Sequence, residues 1–121
     1  MANFSEEKIN QIWEKGIVVT GYNKDKYRKD TCGAWIQKDK YGIEKSMGWV
    51  IDHVYPVSKG GTDDYINLRP MQWQNNLSKA DNYPSYQCAI KSIDNKNVNS
   101  DESRTINNSL QETLKEKYMI K

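Results

Sequence analysis

The stretch from Trp49 to Asp81 restricts the fold of this chain more than any other part of its sequence. It begins with "GWVIDHVY", a short β-rich run that holds the single histidine of the chain, and continues with "KGGTDDY", whose glycines and aspartates favour a turn. The run "INLRP" predicts a second short strand that Pro70 ends, and "MQWQNNLSKA" has a helix-compatible composition. The order strand, loop, strand, helix predicts a compact ββα unit.

A helix is predicted on the N-terminal side of this unit. Ser5 can cap it, because a serine side chain accepts a hydrogen bond from a free backbone N–H of the first turn. The helix is expected to run to about Lys15 and to end at Gly16. Residues 17–47 then read as loops and short strands that glycines interrupt.

The C-terminal part of the chain is polar before it becomes amphipathic. Residues 92–103 resemble a linker, and Ser109 with Glu112 forms the capping-box pattern of a last helix. Apolar side chains recur every four residues there, at Ile106, Leu110, Leu114 and Tyr118. This face can pack on its own domain or on a second copy, and the second case would give a homodimer through the C-terminal helix.

The length and charge of the chain limit the classes of protein it can belong to. With 121 residues it is long enough for one domain, so an active centre has to be built within one small core. The net charge of +2 is too weak to indicate a nucleic-acid partner by itself. Residues 22–45, however, hold seven basic residues against four acidic ones, interleaved with tyrosines and a tryptophan. This pattern suits a phosphate backbone with exposed bases, but it also suits an ordinary solvated surface.

The two cysteines and the hydropathy pattern bear on metal content and location. Cys32 and Cys88 are far apart and neither belongs to a Cys-x-x-Cys pair, so no structural zinc is expected and a disulfide framework has little support. No charged-then-apolar leader occurs, and no apolar run approaches the ~20 residues of a membrane span. The chain is therefore expected to be cytoplasmic and to have no membrane partner, unless a route without a cleaved leader exports it.

Three polar residues of the central stretch can form a metal site. Asp52 and His53 are neighbours on the first predicted strand, so their side chains leave opposite faces unless the strand bends. Asn76 lies on the helix that should pack on these strands. A carboxylate and an amide oxygen are ligands that Mg²⁺ accepts while water and substrate phosphate fill its other positions. A lone histidine is nevertheless more often structural than functional.

The central stretch resembles a known family of nucleases. The pattern Asp52-His53, Pro56, Gly60-Gly61, Asn67-Leu68 and Asn76-x-x-Lys79 is similar to the HNH endonucleases, also called ββα-metal or His-Me finger nucleases, in the His-Asn-Asn form. Three segments match in order, with thirteen residues between His53 and Asn67 and eight between Asn67 and Asn76. The preceding "RKDTCGAWI" resembles the lead-in of small free-standing members.

The resemblance implies a fold and a set of roles. The fold would be α+β, a small single domain centred on a ββα-metal motif at about 48–81 with flanking N- and C-terminal helices. The nuclease domain would span 1–91, followed by the linker and helix of 92–121. His53 would be the general base that takes a proton from water, and Asn67 would fix the loop that holds it. Asp52 and Asn76 would hold one divalent metal, Mg²⁺ first, with Mn²⁺ or another divalent ion as alternatives.

The implied activity is hydrolysis of phosphodiester bonds in DNA, double-stranded first, to give 5′-phosphate and 3′-hydroxyl ends. Arg69, Lys79 and Lys59 are expected to contact the phosphate backbone. The alternative is a non-cleaving nucleic-acid-binding module, or the nuclease part of a larger complex. The enzyme is favoured because a binding module has no need of a base and metal ligands together.

The chain departs from the family in one respect. Many members place zinc-binding Cys-x-x-Cys pairs around this motif, whereas here Met71, Trp73 and Gln74 occupy that neighbourhood. Packing of Trp49, Trp73 and Leu77 is expected to replace the zinc.

Overall fold

The computed structural model describes residues 3–121. Its elements in chain order are α1 (Glu6–Trp13), β1 (Tyr27–Lys29), β2 (Trp35–Gln37), β3 (Trp49–His53), β4 (Leu68–Gln72), α2 (Trp73–Lys79), β5 (Ser85–Gln87), β6 (Ile90–Ile93), β7 (Lys96–Asn99), β8 (Ser103–Thr105) and α3 (Asn108–Tyr118). The strands form antiparallel pairs β1–β2, β3–β4, β5–β8 and β6–β7. Residues 3–121 therefore form an α+β fold with three α-helices and small antiparallel sheets, which is the class predicted from the sequence.

The N-terminal helix is confirmed. The Ser5 side chain accepts a hydrogen bond from the backbone N–H of Lys8 at 3.1 Å, as a serine cap should. The helix ends at Trp13, two residues before the predicted Lys15.

The central stretch has the predicted order of strand, loop, strand and helix. In the β3–β4 pair Asp52 lies opposite Arg69, and His53 lies opposite Leu68. Pro70 lies inside β4 and does not end it, so this part of the prediction was wrong. A two-stranded sheet leaves each strand a free edge, where the missing N–H of a proline removes no inter-strand bond.

The β3–β4 pair separates two hydrophobic clusters. One cluster consists of Ile12, Trp13, Ile36, Trp49, Ile51 and Leu68. The other consists of Cys32, Val54, Met71, Tyr86, Cys88, Ile106 and Leu114. Since successive strand side chains point to opposite faces, His53 shares the face of Ile51, toward α1, and Asp52 shares the face of Met71, toward α2. Asp52 bonds Asn76 of α2 whereas the His53 ring lies beside Phe4, so the two side chains leave opposite faces as expected.

The polar segment 92–103 is folded, so the prediction of a linker was wrong. Strands β6 and β7 form a hairpin. In sequence this hairpin lies between β5 and β8, which pair with each other. The Asn97 side chain bonds both backbone groups of Trp35. Its Oδ1 accepts from the Trp35 N–H at 2.7 Å, and its Nδ2 donates to the Trp35 carbonyl at 2.9 Å. Polar side chains that bond backbone in this way are not distinguishable in sequence from those of a solvated linker.

The C-terminal helix is confirmed, with a different cap. Asn107 accepts from the backbone N–H of Leu110 at 2.8 Å, whereas Ser109 lies inside the helix. The apolar face packs on the chain itself, and Leu114 is fully buried. A homodimer remains a prediction, but the apolar face that suggested it is used internally.

Two contacts fasten the loop before β2 to the rest of the chain. Cys32 and Cys88 form a disulfide inside the second cluster, contrary to the sequence-based expectation. They are 56 residues apart, and only the folded chain shows that they are neighbours.

The second contact is made by Asp30, which is 1% exposed. Its carboxylate accepts bonds from the backbone N–H groups of Cys32, Ala34 and Gln72 and from the Asn75 side chain. Burial raises the pKa of Asp30, and these hydrogen bonds oppose the shift. Asp30 thereby joins the β1–β2 region to the start of α2.

Packing in the neighbourhood of the absent Cys-x-x-Cys pairs differs from the expectation in one residue. Trp49 is fully buried and Trp73 is half-buried, but Leu77 is 67% exposed and does not fill the expected place.

No helix within residues 3–121 has the length and apolar character needed to cross a bilayer.

Candidate active site

A cleft of about 630 Å³ opens where β3 ends. Its lining includes Asp52, His53, Ser58, Asp63, Asn76 and Asp81. Three of the residues singled out in the sequence, Asp52, His53 and Asn76, therefore meet at one cavity although they come from a strand and a helix.

Asp52 lies at the base of the cleft and is 2% exposed. Its Oδ2 accepts a hydrogen bond from Arg69 Nε at 2.9 Å. Its Oδ1 accepts from Asn76 Nδ2 at 3.1 Å and lies 3.4 Å from Lys79 Nζ. Two cations thus hold the carboxylate in one orientation, with Oδ1 toward Asn76.

Lys79 does not lie where a phosphate contact requires it. It is fully buried and donates to the His53 carbonyl at 3.0 Å. Burial lowers the pKa of Lys79, and the Asp52 carboxylate partly opposes this shift. The expected contact of Lys79 with DNA is not made from this position, because its ammonium group is buried against β3.

Arg69 also points inward. Its guanidinium lies 5.0 Å from the centre of the Tyr86 ring, and Nη2 is buried with no hydrogen-bond partner among residues 3–121. The side chain is 11% exposed, so the predicted phosphate contact is not made from this position. Lys59, in contrast, is exposed at the end of a short turn, and its phosphate contact stays a prediction.

His53 is paired with a carboxylate that the sequence reading did not assign to it. Its Nε2 lies 2.7 Å from Oδ1 of Asp63, and the ring of Phe4 is 6.2 Å away between centroids. Asp63 is not among the site residues predicted from the sequence. The signal that could have found it is its place just after the Gly60-Gly61 turn, in the loop that returns toward β3.

Asn67 holds the loop between the two strands and is fully buried. Its Oδ1 accepts from the Tyr55 N–H at 2.7 Å, and its Nδ2 donates to the carbonyls of Tyr55 at 3.1 Å and Thr62 at 3.0 Å. One side chain therefore joins both ends of loop 55–62, which is the contact pattern that the resemblance implies for it.

The two glycines of this loop have separate structural reasons. Gly60 has φ = 110°, a left-handed conformation that side chains disfavour. A Cβ at Gly61 would lie 1.8 Å from the Tyr55 carbonyl oxygen, so no side chain fits there. The Gly-Gly pair thus permits the sharp return of the loop toward His53.

Lys8 of α1 and Lys15, two residues after the helix, hold the following residues 63–68. Lys8 Nζ donates to the Asp63 carbonyl at 2.6 Å, and Lys15 Nζ donates to the carbonyls of Tyr65 and Leu68. Burial and the nearby Lys8 lower the pKa of Lys15 to about 8. The N-terminal helix therefore contributes to the position of Asp63.

The donor set at Asp52 can be compared with the needs of a divalent metal. The structure offers one carboxylate oxygen and one amide group 3.1 Å apart, and a half-turn of the amide presents oxygen instead of nitrogen. Mg²⁺ is commonly held by one or two protein oxygens, with waters and phosphate completing its shell. Groups of three or more His, Cys, Asp or Glu suited to a metal do not occur in residues 3–121. An open site of this kind would need the Asn76 amide turned and substrate phosphate present, because the Arg69 and Lys79 charges already lie beside Asp52.

Comparisons of the chain with models of known protein families, with curated proteins and with solved structures found no match.

Proposed function

We propose that this chain is a metal-dependent endonuclease of the HNH type that hydrolyses phosphodiester bonds in DNA, with β3, β4 and α2 as its ββα-metal motif. The observation that carries the proposal is the convergence of Asp52, His53 and Asn76 at one open cleft. The imidazole and the Asp52 carboxylate lie on β3 and the Asn76 amide lies on α2, and Asn67 fixes the loop between β3 and β4. A module that only binds nucleic acid has no need of this combination.

The proposed reaction uses His53 as the base. The imidazole takes a proton from a water molecule, the water oxygen forms a bond to phosphorus, and the bond from phosphorus to the 3′ oxygen breaks. The 3′ oxygen takes a proton from solvent, which leaves 5′-phosphate and 3′-hydroxyl ends. Asp52 and Asn76 would hold the divalent ion, which when bound supplies stabilisation of the charge on the phosphate and the leaving oxygen.

The surface of residues 22–45 supports a nucleic-acid substrate. Arg28 and Asp30 of this segment are buried, so six lysines and three acidic residues remain toward solvent. The exposed part of the segment therefore carries +3, compared with +2 for the whole chain. Tyr22, which is 43% exposed, and Lys29, 4.8 Å from the Trp35 ring, add an aromatic and cationic surface.

The decisive experiment incubates the purified chain with supercoiled plasmid in Mg²⁺, in Mn²⁺ and in excess EDTA. Wild type should cleave with either ion and not with EDTA. His53→Ala should remain folded and bind DNA but lose cleavage, because the imidazole supplies proton transfer, a factor on the order of 10²–10⁴. Wild-type cleavage rates in His53→Ala would refute the assignment of the base.

The metal assignment has its own matched pair of variants. Asn76→Ala should require more Mg²⁺ and reach a lower plateau rate, whereas Asn108→Ala, an exposed asparagine on α3, should behave as wild type. Equal metal dependence in both variants would exclude Asn76 as a ligand.

The substrate preference follows from one cleft with one base. A monomer should nick duplex DNA before it produces linear product, and activity should fall steeply with salt because lysine contacts to phosphate release counterions. Linear product without a nicked intermediate at limiting enzyme would instead indicate two cooperating copies. Salt-dependent binding with no cleavage under any metal would favour the non-cleaving alternative, or a nuclease part that needs a larger complex.

A further inference from the structure

The loop residue Asp63 makes a contact that none of the roles above explains. Its Oδ1 lies 2.7 Å from His53 Nε2, although 57% of the Asp63 side chain is exposed to solvent. An exposed aspartate has little reason to be held next to an imidazole, because surface ion pairs contribute little to stability. The contact therefore needs an explanation other than stability.

The backbone around Asp63 is held from three directions. Lys8 of α1 donates to the Asp63 carbonyl at 2.6 Å. The preceding residue, Thr62, is bound through its carbonyl by Asn67 at 3.0 Å and through its N–H by the Tyr118 hydroxyl of α3 at 3.2 Å. The fold thus determines where Asp63 places its carboxylate, since α1 bonds the backbone of Asp63 and α3 and Asn67 bond the backbone of Thr62.

The contact also distinguishes the two ring nitrogens of His53. A carboxylate accepts hydrogen bonds and donates none, so it favours the imidazole form with the proton on Nε2. Nδ1 then carries the lone pair and has no hydrogen-bond partner among residues 3–121. His53 lines the cleft with a side chain that is 16% exposed, and Nδ1 is the ring nitrogen without a bond to the described part of the chain.

We infer that Asp63 is a positioning residue that fixes the tautomer and the ring orientation of His53, so that Nδ1 is the atom that receives the proton. The proton of the attacking water goes to Nδ1, while the Nε2 proton stays in the bond to Asp63. The carboxylate then lies next to the positive charge that the imidazolium acquires. The catalytic part of this inference rests on the proposed function, but the orientation of the ring does not.

The chain offers a matched control. Asp64 is the next residue and an aspartate as well, but its carboxylate pairs with Lys117 at 3.2 Å and accepts from Thr62. Asp64→Ala therefore removes a charge from the same loop without touching His53. Asp63→Glu keeps a carboxylate within reach of the ring and serves as the rescue variant.

The orientation can be measured without a nuclease assay. The chain has one histidine, so labelling with ¹⁵N-histidine gives a single imidazole in the NMR spectrum. In the neutral imidazole, wild type and Asp64→Ala should show a directly bonded Nε2–H signal. Asp63→Ala should lose this signal to exchange with water, and Asp63→Glu should restore part of it. An Nε2–H signal that is unchanged in Asp63→Ala, or an Nδ1–H form in wild type, would overturn the inference.

The kinetic arm tests the consequence for catalysis. Asp63→Ala should lower kcat by a factor on the order of 10² with little change in KM, because the ring is misplaced while the substrate surface is intact. Asp64→Ala should keep both values, and Asp63→Glu should recover part of kcat. Equal kcat in wild type and Asp63→Ala would refute the positioning role. If wild type does not cleave, the NMR result still decides the orientation, and the proposed function fails separately.

Discussion

At the scale of single residues, the site depends on charges buried next to one another. Asp52 at 2% exposure is held between the Arg69 guanidinium and the Lys79 ammonium, and Lys79 also carries the His53 carbonyl. Removing one member of such a group leaves the others buried without compensation, which costs more than the group contributes in net stability. Lys79, which the sequence predicted to contact DNA, is therefore a structural residue of the site.

The pair Lys79 and Lys59 tests this distinction. Lys79→Met should lower the free energy of unfolding by about 3 kcal/mol, because it removes one of the two cations beside the buried Asp52 and the donor to the His53 carbonyl. Lys59→Met should change stability by less than about 0.5 kcal/mol, since Lys59 is exposed. Urea denaturation followed by tryptophan fluorescence gives both values. Similar stabilities for the two variants would mean that Lys79 is not buried in solution.

At the scale of elements, the loop between β3 and β4 is positioned by helices that belong to distant parts of the sequence. α1 reaches it through Lys8, and Lys15 just after the helix adds a further contact. α3 reaches it through Tyr118, whose ring also stacks on Tyr55 at 5.4 Å between centroids. α3 can do this only because its apolar face is anchored in the second cluster. The terminal helix therefore supports the cleft even though it contributes nothing to its lining.

Two leucines in helices allow a matched test of that anchoring. Leu114→Ala on α3 should lower the free energy of unfolding by about 2–4 kcal/mol, the usual cost of a cavity at a buried leucine. Leu77→Ala on α2 should cost less than about 0.5 kcal/mol, because that side chain is 67% exposed. Thermal unfolding followed by circular dichroism checks both, and equal losses would contradict the packing of α3 on its own chain.

At the scale of the whole molecule, the Cys32–Cys88 disulfide joins the loop before β2 to the segment that follows β5. The bond lies in the cluster that also holds Leu114 and Ile106, so it connects the first half of the chain to the C-terminal region. Disulfides persist in oxidising compartments and are rare in the cytosol, and the cytoplasmic location expected from the sequence stays a prediction.

Reduction of this bond should destabilise the chain. Closing a loop of 56 residues is worth about 4 kcal/mol in the chain-entropy description, so the midpoint of urea unfolding should fall markedly in dithiothreitol. The double variant Cys32→Ser with Cys88→Ser should unfold at the reduced midpoint and should not respond to dithiothreitol. A wild-type midpoint that is the same with and without reductant would show that the two cysteines are not bonded in solution.

The sequence alone predicted the elements whose evidence is local. These elements depend on neighbouring residues, and the helices and strands are found close to the predicted places. They are the helix that Ser5 precedes, the central stretch with its order of strand, loop, strand and helix, and the last helix with its four-residue repeat. Local steric and hydrogen-bonding preferences decide such elements before any tertiary contact forms. The meeting of Asp52 with Asn76 was also predictable, because the helix follows directly on the two strands on which it was expected to pack.

Only the tertiary structure decided the contacts between residues far apart in the chain. Three contacts depend on which segments pack together, and no local pattern encodes that choice. They are the Cys32–Cys88 bond, the bonds from the Asn97 side chain to the Trp35 backbone, and the inward orientation of Lys79. Polar residues are ambiguous for the same reason, because a buried hydrogen-bonded side chain and a solvated one have the same chemistry in sequence. The pairing of Asp63 with His53 belongs to this group: its carboxylate reaches the imidazole because α1 and α3 hold the loop from opposite ends of the chain.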